Sequence, residues 1–132
     1  MTAITCTYTG DGETELVHGP TGSTIQTDLP PDNGGKGRRF SPTDLLAAAF
    51  ASCVLTIMGK MAAARKEDFK GARVEIERIM AQNPRRVGEF VLKITFPAHF
   101  TPEQKKFYQT AVNACPVHQT LREDVKITVE VC

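Results

Sequence analysis

The chain has no tryptophan and only two tyrosines, and its 16 Lys and Arg are so nearly matched by 15 Asp and Glu that the formal net charge is +1. Without a basic surplus, nucleic acid and anionic membrane are not expected as partners. The N-terminal run Met-Thr-Ala-Ile-Thr-Cys-Thr-Tyr has neither the basic stretch nor the apolar core of a secretory leader, so a cytoplasmic location is expected. The uncharged run Leu45–Gly59 holds fifteen residues. That is short of the about 20 apolar residues a membrane span needs. No repeat or low-complexity tract is present, and 132 residues with 41% hydrophobic and 23% charged side chains predict a single globular domain over 1–132.

Four cysteines stand out: Cys6, Cys53, Cys115 and Cys132. An even count invites two disulfide bridges, but with no secretory leader the thiols are expected to stay reduced. A chain of this length can also build a core without covalent staples.

The pattern predicts an α+β domain in the order βββ-α-ββ-α-α-β. Residues 3–9 are β-branched and aromatic, Gly10-Asp11-Gly12 turns the chain, and Glu13–His18 and Ser23–Leu29 supply two further strands. Residues 31–40 (Pro-Asp-Asn-Gly-Gly-Lys-Gly-Arg-Arg-Phe) read as a mobile glycine-rich loop carrying three cations. Ser41-Pro42-Thr43-Asp44 places Ser at an N-cap, Pro at the first helical position and an acid three residues after the cap, so a helix is predicted from Pro42 to about Lys66. Its apolar circumference predicts burial on every side, and a second copy of the chain is the economical cover.

Alternation over 72–82, through Val74, Ile76 and Ile79, and over 89–97, through Phe90, Leu92, Ile94 and Phe96, predicts a second hairpin around Asn83-Pro84. Thr101-Pro102 opens a helix expected to run to Asn113 with Phe107 and Val112 inward. Pro116 starts a short helix to Leu121, and Val125–Val131 is the last strand.

The cysteines differ in setting. Cys6 and Cys132 lie in alternating strands and read as small packing residues. Cys53 lies three turns into the long helix, where the N-terminal dipole has faded, so it needs a cation or donor from another segment to become a thiolate. Cys115 precedes Pro116 at a helix start, which on local physics makes it the more acidic thiol. Cys115-Pro-Val-His118 has the spacing of half a metal site, but no second Cys/His pair accompanies it, so neither a metal nor another cofactor is expected. Cys53 and Cys115 could form a reversible redox couple, although spacing alone leaves open whether they meet.

Ser41-Pro42-Thr43-Asp44-Leu45-Leu46-Ala47-Ala48-Ala49 leading to Ser52-Cys53, with Asn113-Ala114-Cys115-Pro116-Val117 much later, resembles the OsmC/Ohr family (osmotically inducible protein C and organic hydroperoxide resistance proteins). The resemblance implies an intertwined homodimer with long central helices packed together. It further implies that Cys53 attacks the peroxide, that Cys115 resolves the product by forming a Cys53–Cys115 disulfide, that organic hydroperoxides are the substrates, and that a dithiol of the dihydrolipoamide type restores the thiols.

Two departures from the family pattern are visible. Family members carry an arginine in the N-terminal hairpin, where this chain reads Gly12-Glu13-Thr14-Glu15, and the glutamate that pairs with that arginine aligns with Thr43, beside Asp44. An acid beside Cys53 would raise its pKa. Arg38 or Arg39 from the glycine-rich loop is the candidate replacement, and Thr43, Asp44, Phe50 and Met58 are candidate pocket residues. The alternative is a protein of the same fold with weak or no peroxidase activity that binds a small apolar ligand or senses redox state.

Overall fold

A computed structural model describes all of residues 1–132 as two compact units, Met1–Leu45 and Leu46–Cys132. The mixed α+β class stands, with two three-stranded sheets and helices.

The first unit contains strands β1 (Ile4–Gly10), β2 (Glu13–His18) and β3 (Thr24–Asp28), paired antiparallel in that order. Register places Cys6 opposite Leu16 and Leu16 opposite Ile25. Because paired residues share a face, Ile4, Cys6, Tyr8, Leu16 and Ile25 line one side of this sheet. Ile4, Tyr8 and Ile25 are 60%, 68% and 53% exposed, so this face is uncovered within one chain.

The segment expected to be a mobile loop is instead ordered. Pro31–Asn33 forms a 3₁₀ turn, the Gly35 N–H bonds the Pro30 carbonyl at 2.9 Å and the Gly37 N–H bonds that of Leu29 at 3.1 Å. Glycine is required for this: a Cβ at Gly35 would stand 1.9 Å from the Leu29 carbonyl oxygen.

Helix α1 (Pro42–Arg65) begins where the capping pattern placed it. The Ser41 N–H donates to the Asp44 carboxylate at 2.9 Å and the Asp44 N–H donates to the Ser41 hydroxyl at 3.0 Å, a reciprocal pair. One expectation about this helix is corrected. With 24 residues, it is long and apolar enough to cross a membrane by length and composition alone, because helical residues flank the uncharged run at both ends. Within one chain it is buried on one stripe: Ala47, Phe50, Ala51, Val54, Met58 and Ala62 recur at helical spacing, while Leu46 on another face is exposed. One chain has too few elements to cover the remaining circumference.

In the second unit, β4 (Arg73–Ala81) and β5 (Arg86–Thr95) pair antiparallel, and β6 (Lys126–Val131) adds to β5 in parallel. Phe90, Leu92 and Ile94 are fully buried and Phe96 nearly so, as the alternation predicts. On β4 the core-packed residues are Val74, Ile76 and Met80, whereas Ile79 is exposed. Period two from Val74 reaches position 80, not 79, and the β4–β5 register shifts between those two residues.

The helix expected to continue to Asn113 is divided into α2 (Pro102–Gln109) and α3 (Ala111–Ala114), followed by α4 (Pro116–Thr120). Its start carries a full capping box between Thr101 and Gln104. Tyr108, not Phe107, enters the core; Phe107 lies outside with the Arg65 guanidinium 4.2 Å from its ring centre. An aromatic cluster of Phe69, Phe96, Phe100 and Tyr108 packs with centroid separations of 5.4 to 6.4 Å.

Candidate active site

The break between α3 and α4 follows from sequence. Proline disfavours helical conformation in the residue before it, and Cys115 is extended at φ −64° and ψ 127°. The cysteine is fully buried among the core side chains. Cys53, on α1 of the same core, is partly buried and packs against this cluster, close enough to the Cys115 thiol to influence its ionisation. The structure thus brings together the two cysteines whose meeting the sequence leaves open. All four cysteines are free thiols, and Cys6 and Cys132 are exposed rather than packed. Exposure of Cys6 follows from its place on the uncovered sheet face, and that of Cys132 from its place after β6.

Cys115 is not the more acidic thiol that its position at a helix start predicts. Burial pushes its pKa up and the neighbouring Cys53 thiol adds to the rise; the nearby backbone N–H groups of His118 and Val117 pull the other way and are outweighed. The thiol makes no regular capping hydrogen bond to α4, so the local helix start has limited leverage.

Two further side chains brace this junction. The His118 ring packs against Phe50 at a centroid distance of 5.3 Å, and its Nδ1 lies 2.7 Å from the Val112 carbonyl oxygen. Beside the junction, Leu46, Ala49, Pro116, Val117, Thr120 and Leu121 line a predominantly apolar groove of 310 Å³. Leu46, Ala49 and Cys53 fall at helical spacing on one face of α1, and Pro116 and Val117 directly follow Cys115. The groove therefore runs along the parts of α1 and α4 that neighbour the two cysteines in sequence. Sequence reasoning missed these lining residues; the apolar positions directly following Cys115-Pro116 were the available signal. Phe50 and Met58, the apolar pocket candidates, are fully buried in the core instead, because they lie on the inward stripe of α1.

The arginine candidates lie in the first unit and are engaged there. Arg38 Nε donates to Asp28 Oδ2 at 2.7 Å, and its Nη2 donates to Asp28 Oδ1 at 3.2 Å. The same guanidinium reaches the Asp11 carboxylate at 3.2 Å and Glu13 at 3.4 Å. Asp28 is fully buried at its side chain, and its partnership with Arg38 holds its carboxyl far below the usual carboxylate range and raises the arginine in turn. Arg39 is bound more lightly, through Nε to Glu13 at 2.9 Å. Glu13, at the hairpin position of the family arginine, is therefore paired with cations rather than a bare anion. Thr43 and Asp44 serve the start of α1, with the Thr43 hydroxyl 3.2 Å from that of Ser41. No group of three or more His, Cys, Asp or Glu side chains is arranged to hold a metal ion.

Comparison with known proteins bears on this arrangement. Residues 35–130 match the family model described as OsmC-like protein. The chain belongs to the OsmC-like family. A crystal structure from Psychrobacter arcticus, of a protein described as an osmotic stress induced and detoxification response protein, superposes with a TM-score of 0.95 at 39% identity, covering 100% of this chain and 96% of that one. The OsmC-like fold also recurs in an organic hydroperoxide resistance protein from Legionella pneumophila (TM-score 0.78, 19% identity, covering 99% and 96%). The organic hydroperoxide resistance protein OhrB of Bacillus subtilis shares it as well (TM-score 0.73, 16% identity, covering 100% and 98%). No curated protein matches the sequence.

Proposed function

We propose that this OsmC-like protein is a thiol-dependent peroxidase that reduces organic hydroperoxides. The observation that carries this reading is that one apolar core gathers two free cysteines, Cys53 and Cys115, close enough for one to influence the ionisation of the other. Cys53, the less buried of the two, is the attacking group. Its thiolate takes the distal peroxide oxygen as the O–O bond breaks, leaving Cys53 as a sulfenic acid and the substrate as an alcohol once the alkoxide takes up a proton. Cys115 then attacks the Cys53 sulfur, an S–S bond forms and hydroxide leaves, to be protonated to water. A dithiol such as dihydrolipoamide supplies the two electrons and two protons that return both cysteines to thiols.

The apolar groove beside the pair suits the hydrocarbon portion of an organic hydroperoxide better than hydrogen peroxide, since burying such a chain is favourable by about 25 cal/mol per Å². Of the two arginine candidates for supporting a thiolate, Arg39 is the less committed: it is held by Glu13 alone, whereas the Arg38 guanidinium is occupied by Asp28, Asp11 and Glu13. The working form is a cytoplasmic homodimer in which residues 1–132 act as one OsmC-like domain, without nucleic-acid or membrane partners. The exposed apolar sheet face and the half-covered α1 support association with a second copy.

The test is treatment of the reduced protein with cumene hydroperoxide, followed by intact-mass and peptide mapping. A Cys53–Cys115 disulfide is expected, reversed by dihydrolipoamide. Cys53 left unmodified by excess peroxide would exclude the peroxidase.

A further inference from the structure

The α3–α4 junction contains a backbone defect created by the sequence. In a continuous helix the Val112 carbonyl would accept from the N–H four residues on, but that residue is Pro116, which has none. Val112 is buried, so an orphaned carbonyl there is costly. His118 Nδ1 stands 2.7 Å from this oxygen. A carbonyl only accepts, so Nδ1 must carry the proton and donate. The neighbouring Asn113 carbonyl, whose regular partner is also lost at the break, accepts from the Gln119 side chain. The same His118 ring rests on Phe50, one turn before Cys53 on α1. One side chain thus ties the helix before Cys115 to the helix after it and braces both against the helix that carries Cys53.

We propose that His118 is a positioning residue for the thiol pair: its Nδ1–H bond to Val112 and its packing on Phe50 hold Cys115 in register with Cys53 so that the disulfide can close. The inference rests on reading Cys53 and Cys115 as a redox pair, and it concerns closure of the pair rather than reaction with peroxide.

The experiment equilibrates the protein, with Cys6 and Cys132 replaced by Ser, against mixtures of reduced and oxidised dithiothreitol. Two thiols give up two electrons and two protons to the oxidised reagent and become the Cys53–Cys115 disulfide, and the equilibrium constant reports how well the pair is aligned. His118→Phe keeps the ring against Phe50 and removes the donor; His118→Gln carries its amide one bond too far out; His118→Asn places an amide nitrogen where Nδ1 stood. A fall of about tenfold is expected for Phe and Gln, equivalent to ~1.4 kcal/mol, with Asn, which restores the donor but not the ring, recovering to within about threefold of the parent. An unchanged constant in the Phe and Gln variants, or an Asn variant as weak as they are, would overturn the proposal. Should the Phe variant not fold, the Gln and Asn comparison decides alone. No peroxide is used, so a protein inert towards hydroperoxides still yields the result, and failure here leaves the peroxide test standing.

Discussion

The Arg38 guanidinium and the buried Asp28 carboxylate form a two-point ion pair, Nε to Oδ2 at 2.7 Å and Nη2 to Oδ1 at 3.2 Å, and the Arg38 backbone N–H adds a third contact at 2.9 Å. One carboxylate therefore holds both the main chain and the side chain of the residue that follows the last glycine of the glycine-rich segment. Removing the charge leaves a guanidinium facing a neutral group and a buried site with a weaker acceptor.

Asp28→Asn should lower the thermal unfolding midpoint by several degrees at neutral pH. The sign with pH follows from the direction of the shift. A carboxyl depressed in the folded state contributes stability that is fully present above the ordinary value of about 3.9 and is lost as pH falls below it towards the folded value. Melting curves of the parent and the variant should therefore converge as the pH is taken from 5 down to about 2, a range chosen to bracket that value. A constant difference across that range would contradict the assignment.

Arg38 and Arg39 should separate in their effects. Arg38→Ala should act mainly on stability, since all its guanidinium nitrogens are engaged by Asp28, Asp11 and Glu13. Arg39→Ala should slow alkylation of Cys53 by iodoacetamide several-fold near pH 7 with little change in melting, and Glu13→Gln should speed it or leave it as it was. Equal alkylation rates in the parent and in Arg39→Ala would remove Arg39 as the supporting cation.

Among the two core thiols, Cys53 should be alkylated well before Cys115. Cys115 is fully buried and its thiol is pushed above its ordinary pKa, so both access and thiolate fraction count against it. Peptide mapping of a time course at neutral pH gives the order directly, and prior labelling of Cys115 would show that the junction around it opens more readily than its packing implies.

Tyr108 offers a test of the aromatic core. Its hydroxyl is buried without a hydrogen bond of normal geometry, although Glu67 lies close enough, along with burial itself, to push the phenol pKa up. Tyr108→Phe should change stability by less than about 1 kcal/mol, because a group with no partner is removed and the ring is retained. A loss well above that in chemical denaturation would mean that the hydroxyl bonds Glu67 in solution.

Local signals were strong enough to be read where they are self-contained. The reciprocal Ser41–Asp44 cap, the Thr101 capping box, the alternation through Phe90, Leu92 and Ile94, and the helix break before Pro116 each depend on residues within a few positions of one another. Phe107 and Ile79 face outward, against the sequence pattern, for a complementary reason. Which of two adjacent apolar residues turns inward depends on a register set by the partner element, and here Tyr108 and Met80 take the inward places.

The sequence by itself determined the class of the fold, the order of its elements and the two cysteine motifs, because helix caps, proline geometry and side-chain periodicity act over one or two turns of chain. Only the tertiary structure decided that Cys53 and Cys115 share one core, that burial overrides the helix start at Cys115, that Arg38 is committed to Asp28, and that His118 supplies the donor missing at Pro116. These are relations between a side chain and groups on other elements, or they turn on how deeply a group is buried. Their outcome depends on distance and desolvation, which spacing along the chain does not encode.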